Sequence, residues 1–165
     1  MSSISTTSDQ LFLLDNKEDL QEHLIKLLEK GKHDVAIFSR SLNPALFNHQ
    51  AVRDALSTIA RRASVSSVRI IIERPQTVVE SRHTLLTLSH RLSSKIKIQK
   101  LLIEPQNPYE FVIVDNDKLW LQDQEESNTG FTNYAARPEA KRFLSLFNDY
   151  WRYSEEDIGL RSLAL

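Results

Sequence analysis

The sequence predicts a single α/β domain, a mixed β-sheet flanked by helices on both faces, and three observations carry that prediction. Two unbroken apolar runs, Val35-Ala36-Ile37-Phe38 and Phe111-Val112-Ile113-Val114, have the length of central strands covered on both sides. Around them lie stretches with apolar residues at helical spacing, such as Leu20, Leu24, Leu27 and Leu28. Asp115-Asn116-Asp117 is turn chemistry between the second run and Leu119-Trp120-Leu121, so Pro108 to Leu121 predicts a buried strand, a tight turn and a returning strand.

Length and composition set the limits. A chain of 165 residues is the size of one domain and buries roughly two thirds of its unfolded surface. Apolar residues make up 41% and charged residues 26%, with three Gly, which excludes a low-complexity chain and Gly-rich phosphate cradles. Twenty-one basic side chains against 22 acidic ones leave a net charge of −1, so no global field attracts nucleic acid or an anionic membrane. Without Cys there is neither a disulfide framework nor a thiolate metal site. No apolar run reaches the roughly 18 residues that span a bilayer, and the polar start MSSISTTSDQ is no signal peptide, so a cytoplasmic location is expected.

In chain order, residues 1–10 are too polar to repay ordering and are expected as a tail, with one domain over 11–153 and a C-terminal tail over 154–165. Leu11 to Leu14 suits a short strand. Asp15-Asn16 with Glu18 and Asp19 caps a helix that Gly31 ends. After the Val35–Phe38 strand, Ser39 to Pro44 makes a polar bend, Val52, Leu56, Ile59 and Ala63 a helical stripe, and Val68, Ile70 and Ile72 an alternating strand.

Residues 76–93 predict one helix, with Val78, Leu85, Leu88 and Leu92 inward, although Arg82 and Ser89 fall in the same arc. Ile96 and Ile98 alternating with Lys95, Lys97 and Gln99 predict a strand with a wet face, its lysines guarding a sheet edge. Asp123 to Thr129 is an acidic loop. Pro138 opens a last helix with Ala140, Phe143, Leu144, Phe147, Tyr150 and Trp151 on one side.

Pro108 to Leu121 resembles the signature hairpin of the phospholipase D superfamily, and Asp34 to Glu73 resembles the strand, bend, helix and strand that precede it there. Gly130-Phe131-Thr132-Asn133 resembles the family's Gly-Ser-x-Asn element, with Phe131 in place of the Ser. The resemblance covers residues 33 to 152 in one copy and implies a phospholipase-D-like fold. With Asp115 on the family Asp, Pro108 falls at the position of the nucleophilic His and Glu110 at that of the Lys that neutralises phosphoryl charge. The resemblance thus implies a domain without the catalytic pair. Active members bring two copies together, which implies a homodimer. The chain also resembles a bacterial family of degenerate phospholipase D domains, some attached to acetyltransferase-type domains, which implies an association of that kind.

The candidate site residues are Ser39 and Arg40 at the carboxyl end of a central strand, Arg74 after the next strand, and Arg82, His83, Asp115 and Asn133. Three guanidiniums converging at one mouth would hold an anion bidentately; alternatively, each pairs with a carboxylate or lies along the rim. Asp115 and Asn133 also suit ordinary turn chemistry. His83 and His90 share a helix face but stand about 10 Å apart, too far for one zinc, and no metal or cofactor is expected.

The function expected is a non-catalytic binding or regulatory module that takes a small anion or an acidic partner group. The alternatives are a phosphodiesterase or phosphoryl-transfer enzyme using residues such as His83 with Asp115, or a nucleic-acid-binding remnant with a basic stripe across Arg40, Arg61, Arg62 and Arg74.

Overall fold

A computed structural model describes residues 10–162, and the first residues of the expected N-terminal tail lie outside it. Strands β1 (Leu11–Leu14), β2 (Asp34–Phe38), β3 (Ser67–Ile72), β4 (Ile96–Leu101), β5 (Glu110–Val114), β6 (Lys118–Gln122), β7 (Gly130–Asn133) and β8 (Ser154–Glu155) form one sheet. Their order is β1-β7-β6-β5-β2-β3-β4-β8, with β2, β3 and β4 parallel and the remaining pairings antiparallel. The helices are α1 (Lys17–Glu29), α2 (Pro44–Phe47), α3 (Gln50–Arg62), α4 (Pro75–Glu80), α5 (Thr84–Arg91), α6 (Arg137–Arg152) and α7 (Ile158–Ser162). Among the described residues no helix is long and apolar enough to cross a membrane.

The sheet separates two apolar layers, as its alternating side chains require. Val35, Ile37, Val68, Ile70, Val112, Val114 and Trp120 face one way, against Leu20, Leu24, Val52, Leu56, Leu85 and Leu88 of the helices. Ala36, Phe38, Ile71, Phe111 and Ile113 face the other way and meet Ala140, Phe147 and Tyr150 of α6. This is the mixed α/β sheet with helices on both faces that the sequence predicts. Trp120 shows how its centre is closed: the indole is buried against Phe47 and donates its N–H to the Leu20 carbonyl at 2.9 Å.

Local chemistry explains most boundaries. Asn16 caps α1 by accepting from the Asp19 N–H at 2.8 Å. Gly31 follows that helix for reasons of space, since no glycine here has positive φ and a Cβ on Gly31 would stand 2.5 Å from Ile59 Cδ1. Asp115 (φ 55°) and Asn116 (φ 62°) are both left-handed, the twist that a two-residue hairpin turn demands between β5 and β6.

Three expectations need correction. The single helix over 76–93 is two, α4 and α5, broken at Ser81 to His83, where Arg82 takes φ 51°. That break removes the oddity of an arginine in an apolar arc, because Arg82 turns outward to solvent. Strand β4 does not end the sheet: β8 pairs with Lys100 and Leu101 on its outer side. The residues expected as a C-terminal tail supply β8 and α7, and Leu160 is buried while its carbonyl accepts from His90 Nε2 at 2.8 Å.

Candidate functional site

Strand β2 delivers Ser39 and Arg40 to one end of the sheet, β3 delivers Glu73 and Arg74 beside them, and antiparallel β5 begins there with Glu110. Glu110 is 1% exposed and organises this mouth. One carboxylate oxygen accepts the Ser39 hydroxyl; the other accepts the Arg40 backbone N–H at 2.8 Å and faces its guanidinium at 3.3 Å. Burial pushes the Glu110 carboxyl above its ordinary range, against the hydrogen bonds from Ser39 and Arg40.

The remaining donors of Arg40 go to the loop before β5, to the Asn107 carbonyl at 2.6 Å and the Tyr109 carbonyl at 3.1 Å. Its Nε lies 3.9 Å from Glu73. Arg74 pairs with Glu73 at 3.2 Å and with Glu125, which also accepts the Ser41 hydroxyl at 2.9 Å. Two guanidiniums therefore meet three carboxylates, and even with Glu110 protonated the mouth has no excess of positive charge. The alternative in which each arginine finds a carboxylate describes Arg40 and Arg74.

Arg82 does not join them: it is exposed on the break between α4 and α5 and makes no ion pair with any described residue. His83 lies behind the mouth, fully buried, where Nε2 bonds to the Leu42 carbonyl at 2.8 Å and Nδ1 accepts the Leu85 N–H at 3.2 Å. Burial lowers its pKa from 6.5 to about 4, outweighing the bond to Leu42, so the ring is a neutral cap on α5 at neutral pH. Ser39 Oγ is equally enclosed, giving its proton to Glu110 and accepting the Leu42 N–H at 3.0 Å. Leu42 itself is buried at φ 51°, the bend that brings its two backbone groups to Ser39 and His83.

Asp115 and Asn133 stand at the opposite end of the sheet, about 17 Å from the mouth along the five residues of β5. The Asp115 carboxylate accepts three backbone N–H groups, from Lys32 at 2.8 Å, His33 at 2.8 Å and Asp34 at 3.0 Å. Burial opposes its ionisation, yet these donors and Lys118 outweigh burial and hold the carboxyl below the ordinary carboxylate range. Asn133 Oδ1 accepts the Ala135 N–H at 3.0 Å, a turn contact. Pairing of His83 with Asp115 for phosphodiester chemistry is therefore not built.

Sequence reasoning missed Glu73 and Glu125 as members of this cluster. The acidity of the loop over 123–129 was the available signal, but nothing local says that it folds back onto Arg74.

The sheet order, the two covered faces and the position of this mouth define a phospholipase-D-like fold, and similarities to solved structures agree. Nuc from Salmonella typhimurium, a phospholipase D family member, superimposes with a TM-score of 0.69 at 14% identity, over 89% of this chain and 97% of that one. NucT from Helicobacter pylori gives 0.64 at 15% identity with the same coverage. TrmBL2, an archaeal chromatin protein, gives 0.65 at 8% identity over 94% of this chain, which spans only 60% of that one. Such low identities carry the fold alone. No curated protein matches the sequence. The chain belongs to the family described as a domain of unknown function, DUF7931, whose model matches residues 16–163.

Proposed function

We propose that this chain is a non-catalytic binding or regulatory module on a phospholipase-D-like fold. The observation that supports this most is Glu110, a buried acid held by Ser39 and Arg40 at the position where the family resemblance puts the phosphate-neutralising lysine. A carboxylate there would repel a phosphodiester by about 4 kcal/mol at an effective dielectric constant of 20. Pro108, at the position of the nucleophile, has no reactive atom. The bound anion expected from the sequence fares poorly too, because Arg40 and Arg74 are already engaged by carboxylates and carbonyls. The rim suits a partner's basic group better. A homodimer belongs to this reading, since one copy of the fold supplies half of the arrangement that active members use.

The test is turnover of bis(p-nitrophenyl) phosphate by the pure protein. No hydrolysis above background is expected; hydrolysis that disappears in Glu110→Gln or His83→Ala would overturn the proposal. Light scattering decides the dimer.

Binding of DNA is the second reading, supported by the likeness to TrmBL2, whose structure is described as showing a mode of DNA binding. The basic stripe foreseen for it is divided. Arg61 and Arg62 end α3 just before β3 begins, whereas Arg74 follows the other end of that strand, about 20 Å away over its six residues. Salt-dependent retardation of a duplex, lost on charge removal at one end only, would establish it.

A further inference from the structure

Arg69 is the one central-strand arginine and plays no part in the mouth. It projects from β3 onto the α6 face, half-buried, with its guanidinium carbon 4.9 Å from the Phe147 ring centroid and 5.4 Å from that of Trp151. Burial lowers its pKa and the field of Asp34 opposes the change, yet no carboxylate of the described residues lies within ion-pair distance. The Asp34 carboxylate, at the start of the neighbouring strand, likewise makes no ion pair or hydrogen bond with any described residue. These two groups, with Ser67, Asn116 and Leu144, line a cleft of about 270 Å³ between α6 and the sheet, at the Asp115 end. The register partner of Arg69, Lys97 on β4, takes no part: its ammonium is bonded to the Ser93 carbonyl at 3.2 Å and the residue lines a separate cleft.

We propose that this cleft binds a small zwitterion of the amino-acid type, its carboxylate on Arg69 and its ammonium group toward Asp34. A guanidinium packed against aromatic rings keeps in-plane N–H donors for a carboxylate, and that geometry is bidentate. Asp34 discriminates: its carboxylate repels a phosphate dianion and offers a counter-charge to a ligand that also carries a cation. The volume sits at the lower limit for small-molecule sites, which matches a ligand of few heavy atoms. Apolar ligands have little to gain, because most of the polar lining would be left without partners.

Trp151 supplies the readout, since the only other tryptophan, Trp120, is buried in the opposite layer. The full chain is titrated with L-alanine, with acetate and ethylammonium as its two halves, and with inorganic phosphate, following Trp fluorescence and thermal melting. L-Alanine is expected to give a saturable change and a raised Tm, acetate a response at least about tenfold weaker, and ethylammonium and phosphate none. Arg69→Gln should abolish the response and Asp34→Asn weaken it about tenfold. Arg69→Lys, which keeps the charge and loses the fork, should weaken it if Arg69→Gln fails to fold. No saturable response in the wild type, an undiminished response in the Arg69 variants, or acetate or phosphate matching L-alanine would each overturn the proposal.

Discussion

Strand β5 has an acid at each end, and the two behave in opposite ways. Glu110 opens the strand inside the protein, and burial lifts its pKa despite a hydroxyl, a backbone N–H and a guanidinium. Asp115 follows the strand at a half-exposed turn, and three backbone N–H donors with Lys118 bring its pKa down although burial works the other way. The difference is one of solvent and donor number: Glu110 loses more hydration than its partners restore, and Asp115 loses less than it gains. The Glu110 end is a closed network in which Arg40 and Arg74 are paired with Glu73, Glu110 and Glu125. At the Asp115 end the carboxylate is spent on the backbone, while Arg69 and Asp34 line a cleft beside it and make no ion pair with any described residue.

Charge reversal at Glu110 would break this comparison most forcefully. Glu110→Lys would bury a cation against Arg40 and leave the Ser39 hydroxyl and Arg40 N–H without their acceptor, so a loss of about 4 kcal/mol or failure to fold is expected in urea unfolding. Next in size, Asp115→Ala strands three backbone donors and should cost about 3 kcal/mol in the same measurement.

pH sharpens the contrast, because the signs differ. His83 has a folded pKa of about 4 against 6.5 unfolded, so its contribution is fully present above 6.5 and is lost as pH falls through 4, worth at most about 3 kcal/mol. Asp115, with its depressed pKa, adds to the same acid-side loss. Glu110 works in reverse: the unfolded chain releases its proton first, so stability falls as pH rises through the raised folded value. His83→Asn should flatten the acid limb of a stability–pH curve, and Glu110→Gln should remove the decline on the other side. The smallest effect is expected at Arg82→Gly, which relieves a left-handed residue and should stabilise by up to about 1 kcal/mol in thermal melts, with the mouth unchanged.

Much of the fold is legible along the chain because its signals are local. Val35–Phe38 and Phe111–Val114 announce central strands by composition, Asn16 announces a cap, and Asp115 with Asn116 announces a hairpin turn, each within a few residues. The helix break at Arg82 was hidden because the apolar pattern runs on through it. What stops the helix is a left-handed residue, with the His83 ring turned inward onto Leu42, a partner 41 residues away. Of the candidate site residues, Ser39, Arg40 and Arg74 do share a mouth, as strand ends in parallel register must. Arg82, Asp115 and Asn133 do not belong to it.

By itself the sequence determined the alternation of strands and helices, the layers they bury, and the residue types at the start of β5, because periodicity and side-chain chemistry are written one residue at a time. Only the tertiary structure decided which charges meet. Glu125 reaches Arg74 across 51 residues and Glu110 reaches Ser39 across 71, whereas Arg69 and Asp34 share a cleft without pairing. Ionic contacts depend on distances of a few ångströms between segments remote in sequence, and chain folding sets those distances.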